Sequence, residues 1–146
     1  MPSPPALLRF VTNALLAASG SMRPSRAELA TAFDARCDEL RGRLHPLFGT
    51  PAISALFARA VQLATADYPW LPEVMPKDHE RCSLEGLERI DDRLEPATMA
   101  AGLASVLANQ IALLTMLIGD DLVLPLVQEA WAGTAHGGDG PERRRS

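Results

Sequence analysis

Apolar residues recur at intervals of three and four along most of this chain, and the recurrence breaks at a few sharp places. The clearest run is Leu29, Phe33, Cys37, Leu40 and Leu44, with steps of four, four, three and four. That spacing stacks the five side chains on one face of a helix. Asp34, Arg36, Asp38, Glu39, Arg41 and Arg43 fill the remaining positions and are expected in water. Ser25 and Glu28 stand just ahead at capping-box spacing, each side chain able to satisfy the other residue's free N–H. Pro46 lacks a donor and is expected to end or kink this helix near His45.

The flanking segments carry the same code. Leu7, Leu8, Val11, Ala14, Leu15 and Ala18 make one apolar side of a first helix, with Pro4 and Pro5 suited to its first turn and Gly20 to its exit. "GTP" at residues 49–51 reads as a stop and a start: a left-handed glycine exit, a capping Thr50 and Pro51 at the first helical position. The third helix then runs to about Ala66, with Ile53, Leu56, Phe57, Ala60, Val61 and Ala64 inward and Arg59, Gln62 and Asp67 outward. A fourth, from Ser83 to about Leu94, sets Leu84, Leu87, Ile90 and Leu94 against a strongly acidic outer face. Asp120 or Asp121 is placed to cap a sixth helix, whose inner face reads Leu122, Leu126, Val127, Ala130 and Trp131.

The fifth helix, 97–118, is different. From Pro96 to Gly119 there is no charge at all. Leu103, Val106, Leu107, Gln110, Leu113, Leu114 and Leu117 form a bulky side; Thr98, Ala101, Gly102, Ser105, Ala108, Asn109, Ala112, Thr115 and Gly119 form a small one. A helix apolar all round is expected to be buried all round, and small residues let another backbone approach. The stretch is long enough to span a bilayer. Its polar residues and the acidic Asp120–Asp121 pair that follows favour the core of a bundle in water instead. Near the N-terminus, Arg9 and Asn13 interrupt the apolar run that a signal peptide requires.

The architecture expected is therefore all-α: a five- to six-helix bundle around a central apolar helix, 97–118, in one domain over residues 1–133. Residues 134–146, rich in glycine and charge, are expected as a disordered tail. A chain of 146 residues is large enough for a core without staples.

Composition narrows the function classes. The net charge is −4, and three of the thirteen arginines lie in the last four residues. An acidic body lacks the basic face that nucleic acid requires. Cys37 and Cys82 are too few for a disulfide framework, and reduced thiols in a bacterial-type cytoplasm are expected. No G-x-S-x-G, Walker or dinucleotide motif occurs. Glu85, Glu88 and Asp92 share a face, but Arg89 and Arg93 are interleaved with them, as in an ordinary solvated surface. No catalytic residue and no cofactor is assigned, and the chain is read as not an enzyme. Cys37, His45, His79 and Cys82 are the one set that could ligate zinc, but without the spacing of a zinc finger and with Cys37 on the apolar stripe.

The remaining anomaly is residues 67–82, "DYPWLPEVMPKDHERC", with three prolines, the single Tyr, one of two Trp and the single Lys. A connection this long is unusual in a compact domain. It reads as a proline-stiffened strap that plugs the bundle end with Trp70 and Leu71, or as an aromatic edge that meets a partner. The candidate partner- or ligand-binding residues are Tyr68, Trp70, Asn109, Gln110 and Trp131. The function expected is that of a helical regulatory or adaptor module associating with itself as a homodimer or with another protein, with no membrane or nucleic-acid partner. The alternative is a sensor for a small apolar ligand, with a pocket between the third, fifth and sixth helices, residues 67–82 as its lid, and Asn109 and Gln110 orienting the ligand.

Overall fold

The computed structural model describes residues 4–21, 23–74 and 94–135. Among these there are six helices and no strand: α1 (Pro4–Ser19), α2 (Arg26–Phe48), α3 (Thr50–Thr65), the single turn α4 (Leu71–Val74), α5 (Pro96–Ile118) and α6 (Asp120–Ala135). The protein is all-α. The acidic helix expected over 83–94 falls, but for its last residue, outside the described residues, as does the expected tail from residue 136 onward.

Local chemistry sets the boundaries. At the start of α2, Glu28 N–H donates to Ser25 Oγ at 3.1 Å and Ser25 N–H donates to Glu28 Oε1 at 2.8 Å, which completes the capping box. Against expectation, α2 runs through Pro46 to Phe48. Pro46 lies in the last turn, so its missing N–H costs one bond, and the helix closes when Gly49 N–H reaches His45 C=O at 3.0 Å. Gly49 has φ +79°, a region that glycine enters without strain, and the chain turns there directly into α3. Thr50 is the first residue of α3 rather than its cap. Likewise Asp120 and Asp121 occupy the first turn of α6, behind Gly119 at φ +88°, where their charge still suits the positive helix end.

The predicted stripes point inward except at their edges: Leu8 of α1, one residue beyond Leu7, is exposed. Leu7, Val11 and Leu15 of α1, all five residues of the α2 stripe, and Ile53, Phe57, Ala60 and Ala64 of α3 are buried. On α6 the buried arc is Val123, Val127, Ala130 and Trp131; Leu122 falls one residue outside it and is exposed. Thr134 and Ala135 continue α6 rather than beginning a tail.

α5 is central: it packs against α1, α2, α3 and α6. Met99, Leu103, Val106, Leu107, Gln110, Ile111 and Leu114 are buried on its bulky side. It is not buried all round. Thr98 is exposed and Ala101, Ser105, Ala108, Asn109, Ala112 and Thr115 are only half-buried, so the small side is the open one. Small side chains leave little apolar area to cover, and the bulky residues take the four described neighbours. Among the described residues α5 is the one helix long and apolar enough to cross a membrane by length and composition.

Candidate functional site

The sequence points to two places, the 67–82 strap and the polar pair on α5, and the structure adds a third. The strap begins where α3 ends: Asp67 and Tyr68 N–H groups both reach Ala64 C=O, at 3.1 and 3.0 Å. Leu71 N–H then donates to Tyr68 C=O at 3.0 Å, and Glu73 N–H to Trp70 C=O at 3.1 Å. These turns press Leu71 fully into the core, as the strap reading expects.

Trp70 lies over α5 at Gly102. A Cβ built on Gly102 would meet Trp70 Cζ2 at 2.5 Å, Cη2 at 2.6 Å and Tyr68 Cγ at 3.3 Å. The indole occupies the space that any other residue at 102 would fill, so the glycine is required here for close approach. Tyr68 and Trp70 are edge-on to each other, with centroids 6.1 Å apart, a favourable aromatic geometry. Both rings are half-buried, so each keeps an outer edge in solvent. The part of the strap beyond Val74, with His79 and Cys82, lies outside the described residues.

Asn109 and Gln110, adjacent in sequence, are separated by the helix. Asn109 Nδ2 donates to Ser105 C=O of its own helix at 2.9 Å, on the open side. Gln110 is buried and its Nε2 stands 3.9 Å from Cys37 Sγ, a weak bond to α2. The structure does not bring the two amides together. Burial pushes the Cys37 thiol well above its ordinary range; the Gln110 amide and the Arg41 charge pull the other way without offsetting it. A protonated, enclosed thiol is a poor nucleophile and a poor metal ligand. His45, eight residues further along α2, is exposed, so these two potential zinc ligands do not converge. Among the described residues no three His, Cys, Asp or Glu side chains stand together.

Cys37, Gln110 and Phe57 border a cavity between α2, α3 and α5 of about 10 Å³, which is room for one water at most. It is not the pocket expected between α3, α5 and α6, and neither Tyr68 nor Trp70 borders it.

Trp131 is the candidate the structure moves furthest. It is 3% exposed, so it is an internal anchor rather than a surface one. Its partner is Arg36, which sequence reasoning assigns to solvent and which is 1% exposed. Arg36 Nε donates to Ala14 C=O of α1 at 2.9 Å, and its NH1 donates to Glu39 at 2.9 Å and to Trp131 C=O of α6 at 3.2 Å. Trp131 Nε1 returns a bond to Arg36 C=O at 3.2 Å. The guanidinium carbon stands 5.7 Å from the indole centroid, within cation–π range, and Phe10 of α1 stacks near the same indole at 5.6 Å. One buried, multiply bonded cation thus ties α1, α2 and α6 together. The signal was present: Arg36 is three after Phe33 and four before Leu40, on the edge of the stripe.

No protein-family model, curated protein or solved structure matches this chain.

The third place is surface. Met116 is 81% exposed, Leu117 66% and Leu122 62%. The three stand on either side of Gly119, where α5 passes into α6. Met116 continues the open side of α5; Leu117, expected on the bulky side, is exposed because it stands beyond the end of that buried arc, and Leu122 belongs to α6.

Proposed function

We propose that this chain is a non-catalytic, bacterial-type regulatory or adaptor module of the cytoplasm that works by helix association, and that its first partner is a second copy of itself. The observation that carries this reading is the open face of α5. Thr98, Ala101, Ser105, Ala108, Ala112 and Thr115 lie along it at three- and four-residue spacing, none is buried, and no charge occurs between Pro96 and Ile118. Interfaces are depleted of charge at their centres, and small side chains allow axes to approach to about 8 Å. Single exposed apolar residues are common on any surface; an uncharged helix face that ends in Met116, with Leu117 and Leu122 exposed nearby, is not.

Ligand sensing has less behind it. The cavity beside Gln110 holds about 10 Å³, far below the roughly 300 Å³ of a ligand pocket, and Trp70 rests directly on Gly102.

Size-exclusion chromatography with light scattering, run without detergent at several concentrations, tests the reading. The expected mass is twice the 15.7 kDa of the chain. Ala108→Glu puts a charge in the middle of the face and is expected to weaken association at least about 100-fold, because the seam would bury two like charges. A strict monomer at every concentration refutes self-association.

A further inference from the structure

We propose that Arg36 is the positioning residue that sets the roll of α6 about its own axis, and so selects which edge of that helix's apolar arc is buried. The inference concerns α6 and stands apart from the self-association proposed above.

The apolar arc of α6 is wider than the face it buries among the described residues. Leu122 and Trp131 are nine residues apart, about two and a half turns, so they mark opposite edges of the arc, with Leu126, Ala130, Val123 and Val127 between them. The Trp131 edge is the one taken in: Trp131 is 3% exposed and Leu122 62%, while Leu126 is half-buried. Burial alone does not dictate that choice. A roll of about 40° would carry Leu122 inward and Trp131 to the rim, and would keep Val123, Ala130 and Val127 on the inner half. About 100 Å² of indole would leave the core and most of a leucine side chain would enter it, an exchange close to balance. The leucine spacing alone points to that rolled seating, because Leu122, Leu126 and Ala130 recur every four residues.

The groups that break the balance are polar and stand at one edge. Arg36 NH1 donates to Trp131 C=O at 3.2 Å, and Trp131 Nε1 donates to the backbone C=O of Arg36 at 3.2 Å. The guanidinium carbon stands 5.7 Å from the indole centroid. Rolling α6 withdraws both the carbonyl and the ring from a guanidinium that is 1% exposed, and a buried charge short of partners is costly. At the other edge, Arg43 and Glu129 pair at 2.9 Å with both side chains at least half exposed, which contributes little. Directional bonds thus settle a choice that apolar contact leaves open. Replacing a buried ion by an apolar residue of similar volume is often neutral for stability; what Arg36 supplies here is one defined seating.

The test uses the full chain with Arg36→Met, which keeps an unbranched side chain and removes the charge. The Leu122 edge is read with Leu122→Cys in a Cys82→Ser chain, Cys37 being buried, by timing thiol labelling at one low protein concentration; a thiol still behaves as a small hydrophobe. The other edge is read from Trp131 emission in a Trp70→Phe chain. With Arg36 present, the thiol at position 122 should label fast and Trp131 should emit to the blue. With Arg36→Met, labelling should slow by at least about 10-fold, as the observed seating becomes the minor one, and the emission should move to the red. Adding Leu122→Ser to Arg36→Met removes the competing edge and should return the emission to the blue with Arg36 still absent. Greater exposure at both positions overturns the proposal, because Arg36 is then a general brace. No change at either position overturns it, because packing alone then sets the roll. An Arg36→Met chain that does not fold overturns it too, because Arg36 then supplies stability rather than choice.

Discussion

Gly102→Ala sets two opposed effects against each other at one atom. In an exposed helix interior this substitution stabilises by about 1 kcal/mol, because alanine loses less backbone freedom on folding. At residue 102 the added methyl would stand 2.5 and 2.6 Å from two carbons of the Trp70 ring, closer than carbon atoms approach. The indole is rigid and its backbone is held by the turn that buries Leu71, so the ring has to swing away from α5. A tryptophan carries about 200 Å², and re-exposing about half of it costs about 2.5 kcal/mol at about 25 cal/mol/Å². The collision wins: a net loss of about 1.5 kcal/mol and a Tm lower by about 4–8 °C is expected for a domain of this size. The assay is thermal unfolding followed by circular dichroism at one fixed protein concentration, since association would itself shift Tm. Tryptophan emission is read alongside and should move to the red, because Trp131 is enclosed and Trp70 alone can change. On a Trp70→Ala background the same substitution should reverse sign and stabilise by about 1 kcal/mol. A Gly102→Ala protein with a higher Tm and unchanged emission would refute the seating of Trp70 on α5.

Two further outcomes are expected. Ser25→Ala removes one arm of the α2 capping box and should cost about 1 kcal/mol in chemical denaturation; an unchanged midpoint would mean that water replaces the hydroxyl without loss. Cys37 should resist thiol reagents until the protein unfolds. Because burial raises its folded pKa, the proton is held more tightly in the native state. The matching stability is therefore complete below the unfolded pKa of about 8.5 and is lost as pH rises beyond it, at up to about 1.4 kcal/mol per pH unit. The stability difference between the parent and Cys37→Ala should shrink between about pH 9 and pH 10.5, and a constant difference would place the thiol in contact with water.

Most of the fold was legible in the sequence because helical periodicity and caps are local signals. Leu29, Phe33, Cys37, Leu40 and Leu44 are all buried, and the Ser25–Glu28 box forms. The misreadings came from non-local effects. Pro46 marked a stop that the last turn of α2 absorbs. Arg36 read as a surface charge because its acceptors, Ala14 and Trp131 carbonyls, lie 22 and 95 residues away. Trp131 lies on the inner face of α6 as its spacing predicts, and its burial removes it only from the candidate contacts for a partner. The open side of α5 was hidden by its composition: charge-free sequence says that a helix avoids water, and the four helices that pack on it among the described residues cover only part of its circumference. The Trp70–Gly102 contact had a visible signal, a glycine within an otherwise strong helix, but its partner across 32 positions could be found only in three dimensions.

The claim on which the functional reading turns is that the uncharged face of α5 is covered by a second copy of the chain in water. The most direct measurement is the molar mass in detergent-free buffer across a wide concentration range, for the parent and for Ala108→Glu. The account predicts a parent at twice the 15.7 kDa chain mass and a folded variant at the single-chain mass. A parent that is monomeric throughout, or a variant that dimerises as the parent does, would contradict it.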